Sequence, residues 1–229
     1  MQKVSKIYII LAFLALLVGL YISGTAELSF DESYYWIYSK YSAWGYYDHP
    51  PMVAWSIALG TMIFGDTEFG VRFFSQLYLI GTVYLIFKMI PKSYGRQYVI
   101  GLLFSMPLIS LSGLVALPDS PLMFFSTLFF YRIKQYLELD NIKNALYLAV
   151  VIAAMFYSKY HGLLIVLLTV AANISFIKRK SFWLVALTVT LLYLPHMIWQ
   201  YQHDFVSFLF HLSGRVEKHF SFMNILNYI

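Results

Sequence analysis

Cysteine is absent from this chain of 229 residues, and charged residues make up only 12% of it. Without a thiol the chain can neither form a disulfide nor use a thiolate nucleophile, and cysteine usage says nothing about its redox compartment. The charged fraction is about half that of an ordinary soluble domain, whereas 60% of the residues are hydrophobic. These proportions exclude an ordinary soluble domain and predict a polytopic membrane protein.

Six long segments with little or no charge approach the roughly 20 residues that a helix needs to cross a bilayer. They are residues 7–26, 73–87, 97–118, 144–158, 160–177 and 181–202, and a seventh, shorter segment covers 120–131. The seventh reaches full length if Arg132 and Lys134 snorkel at its far end or if Asp119 lies in a protein-lined recess. The predicted fold is therefore all-α, with about seven transmembrane helices.

The basic residues fall mainly on one side of these segments, as expected for loops that stay in the cytoplasm. With a cytoplasmic N-terminus, eleven of the sixteen basic residues lie inside and nine of the eleven acidic residues lie outside. The net charge of +5 then acts as a topology signal, and nucleic-acid binding is not expected. This pattern predicts that the chemistry takes place on the outer face.

The longest predicted connection is the first outer loop, residues 27–72. Tyrosines favour one side of a short predicted helix at 31–41, and the apolar stretch 52–64 is too short to span, so both are expected at the membrane interface. Six tyrosines and two tryptophans lie within residues 30–51, beside three acids and a histidine. Acids and an imidazole can do proton or metal chemistry, and aromatic rings suit a sugar or lipid headgroup, so this loop predicts an active site at a membrane surface.

Two dipeptides in this loop, each with at least one acid, have both a chemical and a structural interpretation. Asp31-Glu32 can supply a general base that deprotonates an acceptor, or it can cap a helix N-terminus. Asp48-His49 can bind a divalent cation, with the two prolines that follow fixing the backbone, or it can form a turn in which Asp48 caps the next helix. Two ligands alone do not define a metal site.

The later outer connections add three candidates. Asp119, between two prolines, is either a site carboxylate or the N-cap of the next helix. Lys159 separates fifteen and eighteen uncharged residues on the outer side, which indicates either an anion such as a lipid phosphate or a snorkelling side chain. Arg215 can serve the same phosphate or be a solvated loop residue.

Together these segments resemble the bacterial membrane glycosyltransferases of the GT-C class, in the dolichyl-phosphate-mannose-protein mannosyltransferase-like family that includes the aminoarabinose and galacturonic acid transferases of lipid A. The resemblance covers nearly the whole chain and depends on five motifs in order. The motifs are residues 31–36, 46–51, 117–122, 158–162, and 203–208 with Gly214-Arg215.

The resemblance implies an inverting transfer of a sugar from a polyprenyl-phosphate donor to a lipid, polymer or protein acceptor. Asp31 is implied as the catalytic base, with Glu32 beside it. Asp119 and Tyr35 are implied to line the catalytic cavity, and Lys159 is implied to contact the donor phosphate. The polyprenyl-phosphate sugar is then a co-substrate rather than a bound cofactor.

The Asp48-His49 pair occupies the place where relatives carry an acid beside the double proline, sometimes near a metal. Those relatives often have a lysine after that acid, whereas this chain has His49. The difference argues against phosphate binding at this position and favours a divalent cation or a different donor.

The resemblance also implies a place in the cytoplasmic (inner) membrane, with the N-terminus in the cytoplasm and the active site on the periplasmic or extracellular face. The partners expected are the donor, a cell-envelope acceptor and membrane lipids. Residues 1–229 are predicted to form one GT-C-like catalytic domain of a longer protein, because 222–229 reads as the start of another hydrophobic helix.

Two other classes remain as alternatives. A polytopic transporter predicts ionisable residues midway along its helices, whereas nearly all the charges here lie at helix ends. A non-catalytic membrane scaffold predicts that the outer acids are dispensable, so replacement of Asp31 distinguishes a scaffold from an enzyme.

Overall fold

The computed structural model describes residues 6–91, 103 and 106–212. No strand occurs among them, so the all-α prediction is confirmed for this part of the chain. The α-helices are α1 Lys6–Thr25, α2 Phe30–Lys40, α3 Met52–Phe64, α4 Glu68–Met89, α5 Pro107–Leu114, α6 Asp119–Glu138, α7 Ile142–Ser158, α8 His161–Ala172, α9 Lys180–Gln202 and α10 Val206–Leu212, with a 3-10 helix at Ile174–Lys178 between α8 and α9.

The predicted apolar segments coincide with helices, with three differences of length. The segment predicted at 73–87 is longer at both ends and forms α4, Glu68–Met89. The segment predicted at 120–131 continues to Glu138, because its charged residues find partners on the same helix: Arg132 Nη1 donates to Gln135 Oε1 at 2.8 Å, and Lys134 lies 3.9 Å from Glu138. The segment predicted at 160–177 stops at Ala172 and resumes as the 3-10 helix. Only part of the segment 97–118 lies within the described residues, where it contains α5.

Two of the described helices, α4 and α9, are long and apolar enough to cross a membrane by length and composition. Among the shorter apolar helices are α3, α7 and α8. The predicted total of seven spans and the interfacial position of α2 and α3 therefore stay predictions.

The helices pack in two groups that share α4. In the first group, α6, α7 and α9 enclose an apolar core around Phe129, Ala149, Met155 and Val185. In the second, α2 and α3 pack beside α4 around Tyr35, Val53, Ile57 and Val71. Because α4 contacts both α3 and α6, it fixes the outer-loop helices relative to the larger bundle.

Close contact between α3 and α4 depends on a glycine. A Cβ atom on Gly60 would overlap the carbonyl oxygen of Gly70, so only a residue without a side chain permits this approach. The tight packing holds the start of α4, which carries Arg72, beside the start of α2.

Candidate active site

Glu32 is the centre of a buried ionic network at the start of α2. Its side chain is fully buried, and Arg72 of α4 binds it with both ends of the guanidinium, Nε to Oε1 at 2.7 Å and Nη2 to Oε2 at 2.8 Å. The backbone N–H groups of Ser29 and Ala116 donate to the same carboxylate at 2.9 and 3.0 Å. Burial alone would raise the pKa of Glu32, but these hydrogen bonds and the Arg72 charge outweigh it and lower the pKa below its usual value.

The same arginine joins several segments. Arg72 Nη1 donates to the carbonyl of Ala26 at 2.6 Å, and Nη2 donates to the carbonyl of Glu27 at 2.8 Å, so the exit from α1 is tied to α4. Ser29 caps α2 reciprocally with Glu32 in a capping box. Of the two interpretations of the Asp31-Glu32 pair, the capping role therefore describes Glu32, whose oxygens are occupied by four donors.

Asp31 lies on the exposed side of the same turn. Its neighbour Tyr35, one turn along α2, is only 6% exposed, and its hydroxyl lies 3.4 Å from His49 Nδ1. Burial raises the pKa of Tyr35 above its ordinary value, and negative charges add to the rise, with Asp48 foremost and Asp31 and Asp119 among them. Of these carboxylates, Asp48 is joined to Tyr35 through His49, whose Nδ1 contacts both side chains.

Asp48 and His49 bind one another and neighbouring tyrosines. His49 Nδ1 lies 3.0 Å from Asp48 Oδ2, and the Tyr34 hydroxyl donates to Asp48 Oδ1 at 3.3 Å. Asp48 does not cap α3, whose N-cap is Pro51. The turn interpretation is correct in placing these residues before the helix, but the capping role is wrong because the side chain points to His49 and Tyr34.

The metal alternative for Asp48 and His49 can be tested against the donor set. Among the described residues no group of three or more His, Cys, Asp or Glu side chains is placed to hold a metal ion. The imidazole nitrogen nearest the carboxylate is already engaged with it. The described residues therefore do not form a complete coordination site for a divalent cation.

Asp119 and Lys159 form an ion pair across the starts of α6 and α8. Lys159 Nζ donates to both carboxylate oxygens, at 2.8 and 2.9 Å. The lysine side chain is 19% exposed and the aspartate side chain 51%, so the pair has one face toward solvent. Asp119 is the first residue of α6 and not its N-cap, which is Pro118, so the capping interpretation is wrong. A lysine held this way can exchange its carboxylate for a phosphate.

Arg215, the last of the predicted phosphate ligands, lies outside the described residues. Its role stays a prediction.

A set of contacts that was not predicted holds the backbone of the loop that carries Asp48. We call it the carbonyl clamp: three alternate carbonyl groups each accept a hydrogen bond from a side chain of α9 or α10. The donors and acceptors are His196 Nδ1 to Trp44 O at 2.6 Å, Ser207 Oγ to Tyr46 O, and His211 Nε2 to Asp48 O at 2.7 Å.

Behind the clamp lies Tyr160, beside Lys159. Its hydroxyl accepts from Gln200 Nε2 at 2.8 Å and contacts His196 Nε2 at 3.2 Å, and both residues are fully buried in α9. This network joins the Asp48 loop to the Lys159 segment.

Sequence reasoning missed the clamp because its acceptors are backbone groups. The available signal was the pair His196 and Gln200, two polar side chains four residues apart near the end of an apolar helix. No sequence signal pointed to Arg72, because its partner Glu32 lies 40 positions away.

Comparison with known proteins supplies the family. Residues 48–199 match the family described as dolichyl-phosphate-mannose-protein mannosyltransferase. Over 215 residues the chain is 24% identical to the lipid A galacturonosyltransferase RgtD of Rhizobium johnstonii, a match that covers 89% of this chain and 45% of that protein.

The crystal structure of ArnT from Cupriavidus metallidurans in the apo state has the same fold, with a TM-score of 0.69 at 14% identity over 94% of this chain and 44% of that one. The chain thus spans less than half the length of both relatives. Since the family match covers most of the chain and includes the Asp48, Asp119 and Lys159 segments, this protein belongs to the dolichyl-phosphate-mannose-protein mannosyltransferase family.

Proposed function

We propose that this protein is an inverting glycosyltransferase that moves a sugar from a polyprenyl-phosphate donor to a glycolipid of the cell envelope. The observations that carry the proposal are the Asp48–His49 pair in contact with Tyr35, one turn along α2 from the exposed Asp31, and the Asp119–Lys159 ion pair. Family membership and the likeness to a lipid A galacturonosyltransferase support a sugar transfer to a lipid A type of acceptor.

In this scheme Asp31 is the general base. It takes the proton of the acceptor hydroxyl while the acceptor oxygen bonds to the anomeric carbon from the face opposite the phosphate. The bond between that carbon and the phosphate oxygen breaks, and its electron pair leaves with the polyprenyl phosphate. A phosphate-linked sugar is already activated, so placement, one base and one cation are sufficient.

Lys159 supplies the cation. Its ammonium neutralises the charge that grows on the leaving phosphate, and Asp119 keeps the side chain extended into the site before the donor arrives. The donor phosphodiester carries one negative charge and the departing polyprenyl phosphate carries up to two, so the phosphate competes with Asp119 for this ammonium more strongly as the bond breaks. Arg215 is proposed as a second ligand of the same phosphate.

Glu32 is a positioning residue in this scheme, because Arg72 and two backbone donors occupy its oxygens. It holds the first turn of α2 so that Asp31 faces the site. Asp48, His49 and Tyr35 form a hydrogen-bonded wall that is proposed to bind sugar hydroxyl groups. The protein is proposed to lie in the inner membrane with its N-terminus in the cytoplasm. The active site is then proposed to lie on the periplasmic or extracellular face.

Replacement of Asp31 by Asn tests the scheme. Loss of a general base lowers the rate by about 100-fold or more, so cells with Asp31→Asn at matched membrane levels are expected to lose one defined sugar from their envelope glycolipids in mass spectra. Glu27→Gln, an exposed outer acid four positions earlier, is the control and is expected to keep that sugar. An unchanged glycolipid profile in Asp31→Asn cells, with the sugar absent from a deletion strain, would remove Asp31 as the base.

A further inference from the structure

A cleft of about 300 Å³ lies between α8 and α9, and it belongs to none of the catalytic contacts above. Its inner end is marked by Tyr136, seventeen residues along α6 from Asp119, which is about 25 Å along a helix. The lining is almost entirely apolar, with Leu148 and Ile152 of α7 at its floor. The cleft is large enough for part of a lipid chain and at the lower end of the roughly 300–1,000 Å³ of small-ligand sites.

The cleft exists because α8 and α9 pack on α7 and make little contact with each other. Exposed residues form its two rims, Leu167 on α8 and Thr190 on α9. The opening is therefore lateral, between two helices whose outward faces are apolar. A lateral apolar opening admits a hydrocarbon chain from the surrounding bilayer rather than a polar solute from water.

Positive charge is concentrated at the inner end. The 3-10 helix whose Phe176 lines the cleft ends at Lys178, and Arg179 and Lys180 follow it. The Arg179 guanidinium lies 5.4 Å from the ring centroid of Tyr136. Asp140 lies 3.7 Å from Arg179 and offsets part of this charge. Residues 132–143 and 178–180 together contain six basic and two acidic side chains, so a net positive field remains.

We propose that the α8/α9 cleft binds one acyl chain of an anionic phospholipid and that the segment Lys178 to Lys180 holds its phosphate. The cleft supplies the apolar part of such a ligand and the charges at its mouth supply the anionic part. This lipid is distinct from the sugar donor, whose phosphate is assigned to Lys159 at the other end of α6. The proposal does not depend on the proposed glycosyltransferase activity.

The test measures binding of fluorescent phosphatidylglycerol to the purified protein in neutral detergent, with unlabelled phosphatidylglycerol, phosphatidylcholine and polyprenyl phosphate as competitors. Ala186→Phe fills the cleft from α9, and Leu187→Phe places the same ring on the exposed neighbouring position. Each buried CH₂ multiplies affinity by about four. Displacement of three or four methylenes is thus expected to weaken binding by about 60-fold or more in the first variant and not in the second.

The headgroup is tested with Lys178→Gln combined with Lys180→Gln, both exposed residues whose replacement leaves the core intact. Each lysine near an anionic headgroup contributes about fivefold, so the double variant is expected to bind phosphatidylglycerol about 25-fold more weakly and no better than phosphatidylcholine. Lys134→Gln with Lys143→Gln, at the same end of the bundle, is the matched control for net charge.

Three results would overturn the proposal: equal binding by Ala186→Phe and Leu187→Phe, an equal effect of the two lysine pairs, or displacement of the probe by polyprenyl phosphate in preference to phosphatidylglycerol. The last result would assign the cleft to the donor chain. Thermal unfolding of each variant separates loss of the site from loss of the fold.

Discussion

At the scale of single residues, Asp31 and Glu32 are neighbours in one helical turn with opposite environments. Asp31 is exposed, whereas Glu32 is fully buried against Arg72. The difference arises because the capping box with Ser29 turns Glu32 inward, toward α4. A base must reach solvent and substrate, and a positioning acid must not, so the two carboxylates are suited to separate tasks.

The buried Glu32–Arg72 ion pair is predicted to contribute to the free energy of unfolding. Glu32→Gln leaves the Arg72 charge unpaired and turns an amide NH₂ toward backbone donors, so the free energy of unfolding is expected to fall by about 3–5 kcal/mol. Asp31→Asn, on the exposed side of the same turn, is the control and is expected to leave it unchanged. Thermal unfolding in detergent at neutral pH compares the two variants.

The pH dependence of the same variant follows from the lowered pKa of Glu32. A carboxylate whose folded pKa lies below its ordinary value, here 4.5, stabilises the fold above that value and loses the contribution as pH falls through the folded pKa. The wild-type protein is therefore expected to lose stability below about pH 4.5 as Glu32 becomes protonated. The Glu32→Gln variant is expected to lack this loss, because it has no carboxyl group there to protonate. Parallel unfolding curves for both proteins down to pH 3 would contradict the assignment.

The proposed role of the Asp119–Lys159 pair predicts how kcat/KM for the donor changes when the lysine is replaced. Lys159→Gln removes one charged hydrogen-bonding partner of the phosphate, which is worth about 1.5–3 kcal/mol, or roughly a 10- to 150-fold loss of kcat/KM for the donor. Lys159→Arg keeps the charge and is expected to recover part of that loss.

Lys40→Gln removes another outer lysine, which pairs with Asp66, and serves as the control. Steady-state transfer rates measured against donor concentration give these values. Equal kcat/KM values for Lys159→Gln and Lys40→Gln would show that Lys159 does not bind the donor phosphate.

At the scale of elements, the sequence predicts where helices lie better than it predicts how they meet. The apolar segments at 7–26, 144–158 and 181–202 differ from α1, α7 and α9 by at most two residues at either end, because hydrophobic length is a local property. The pairing of Glu32 with Arg72 and the carbonyl clamp were not predictable, since they join residues 40 and more than 150 positions apart. Of the candidate site, the residue types could be read from the sequence and the partners could not.

The carbonyl clamp makes α9 and α10 responsible for the position of the Asp48 loop. Ser207→Ala removes the hydroxyl that donates to Tyr46 O and leaves that carbonyl without its side-chain donor. Loss of a buried partner costs about 1–3 kcal/mol, so the loop is expected to open more often. Amide hydrogen exchange of residues 44–49 should quicken, since the Tyr46 N–H to His49 O bond at 3.1 Å opens with the loop.

Ser207→Thr keeps the hydroxyl and is expected to restore both slow exchange and transfer activity. A role in packing alone predicts the opposite order, with the larger side chain more disruptive than alanine. Equal amide exchange rates for residues 44–49 in the wild-type protein and in Ser207→Ala would show that the clamp does not hold the loop.

At the scale of the whole molecule, the charged groups separate toward two ends of the bundle. Asp119 and Lys159 meet at one end of α6, and Tyr136, Asp140 and Arg179 meet at the other. Each end thus holds one pair of opposite charges, and the predicted division between an acidic outer face and a basic inner face stays a prediction. Helix α3 decides whether the division holds across the membrane, because a spanning α3 would reverse every later segment.

The absence of cysteine makes that question measurable, because any single introduced cysteine is the only thiol in the chain. Glu27→Cys precedes α3 and Lys143→Cys follows α6, and both positions are exposed. If α3 does not span, an odd number of predicted crossings separates them, so a membrane-impermeant maleimide is expected to label Glu27→Cys in intact cells and Lys143→Cys only after lysis. Labelling of both in intact cells would mean that α3 crosses the membrane. Labelling of Lys143→Cys alone would show that the orientation is the reverse of the predicted one. The proposed active site would then lie on the cytoplasmic face.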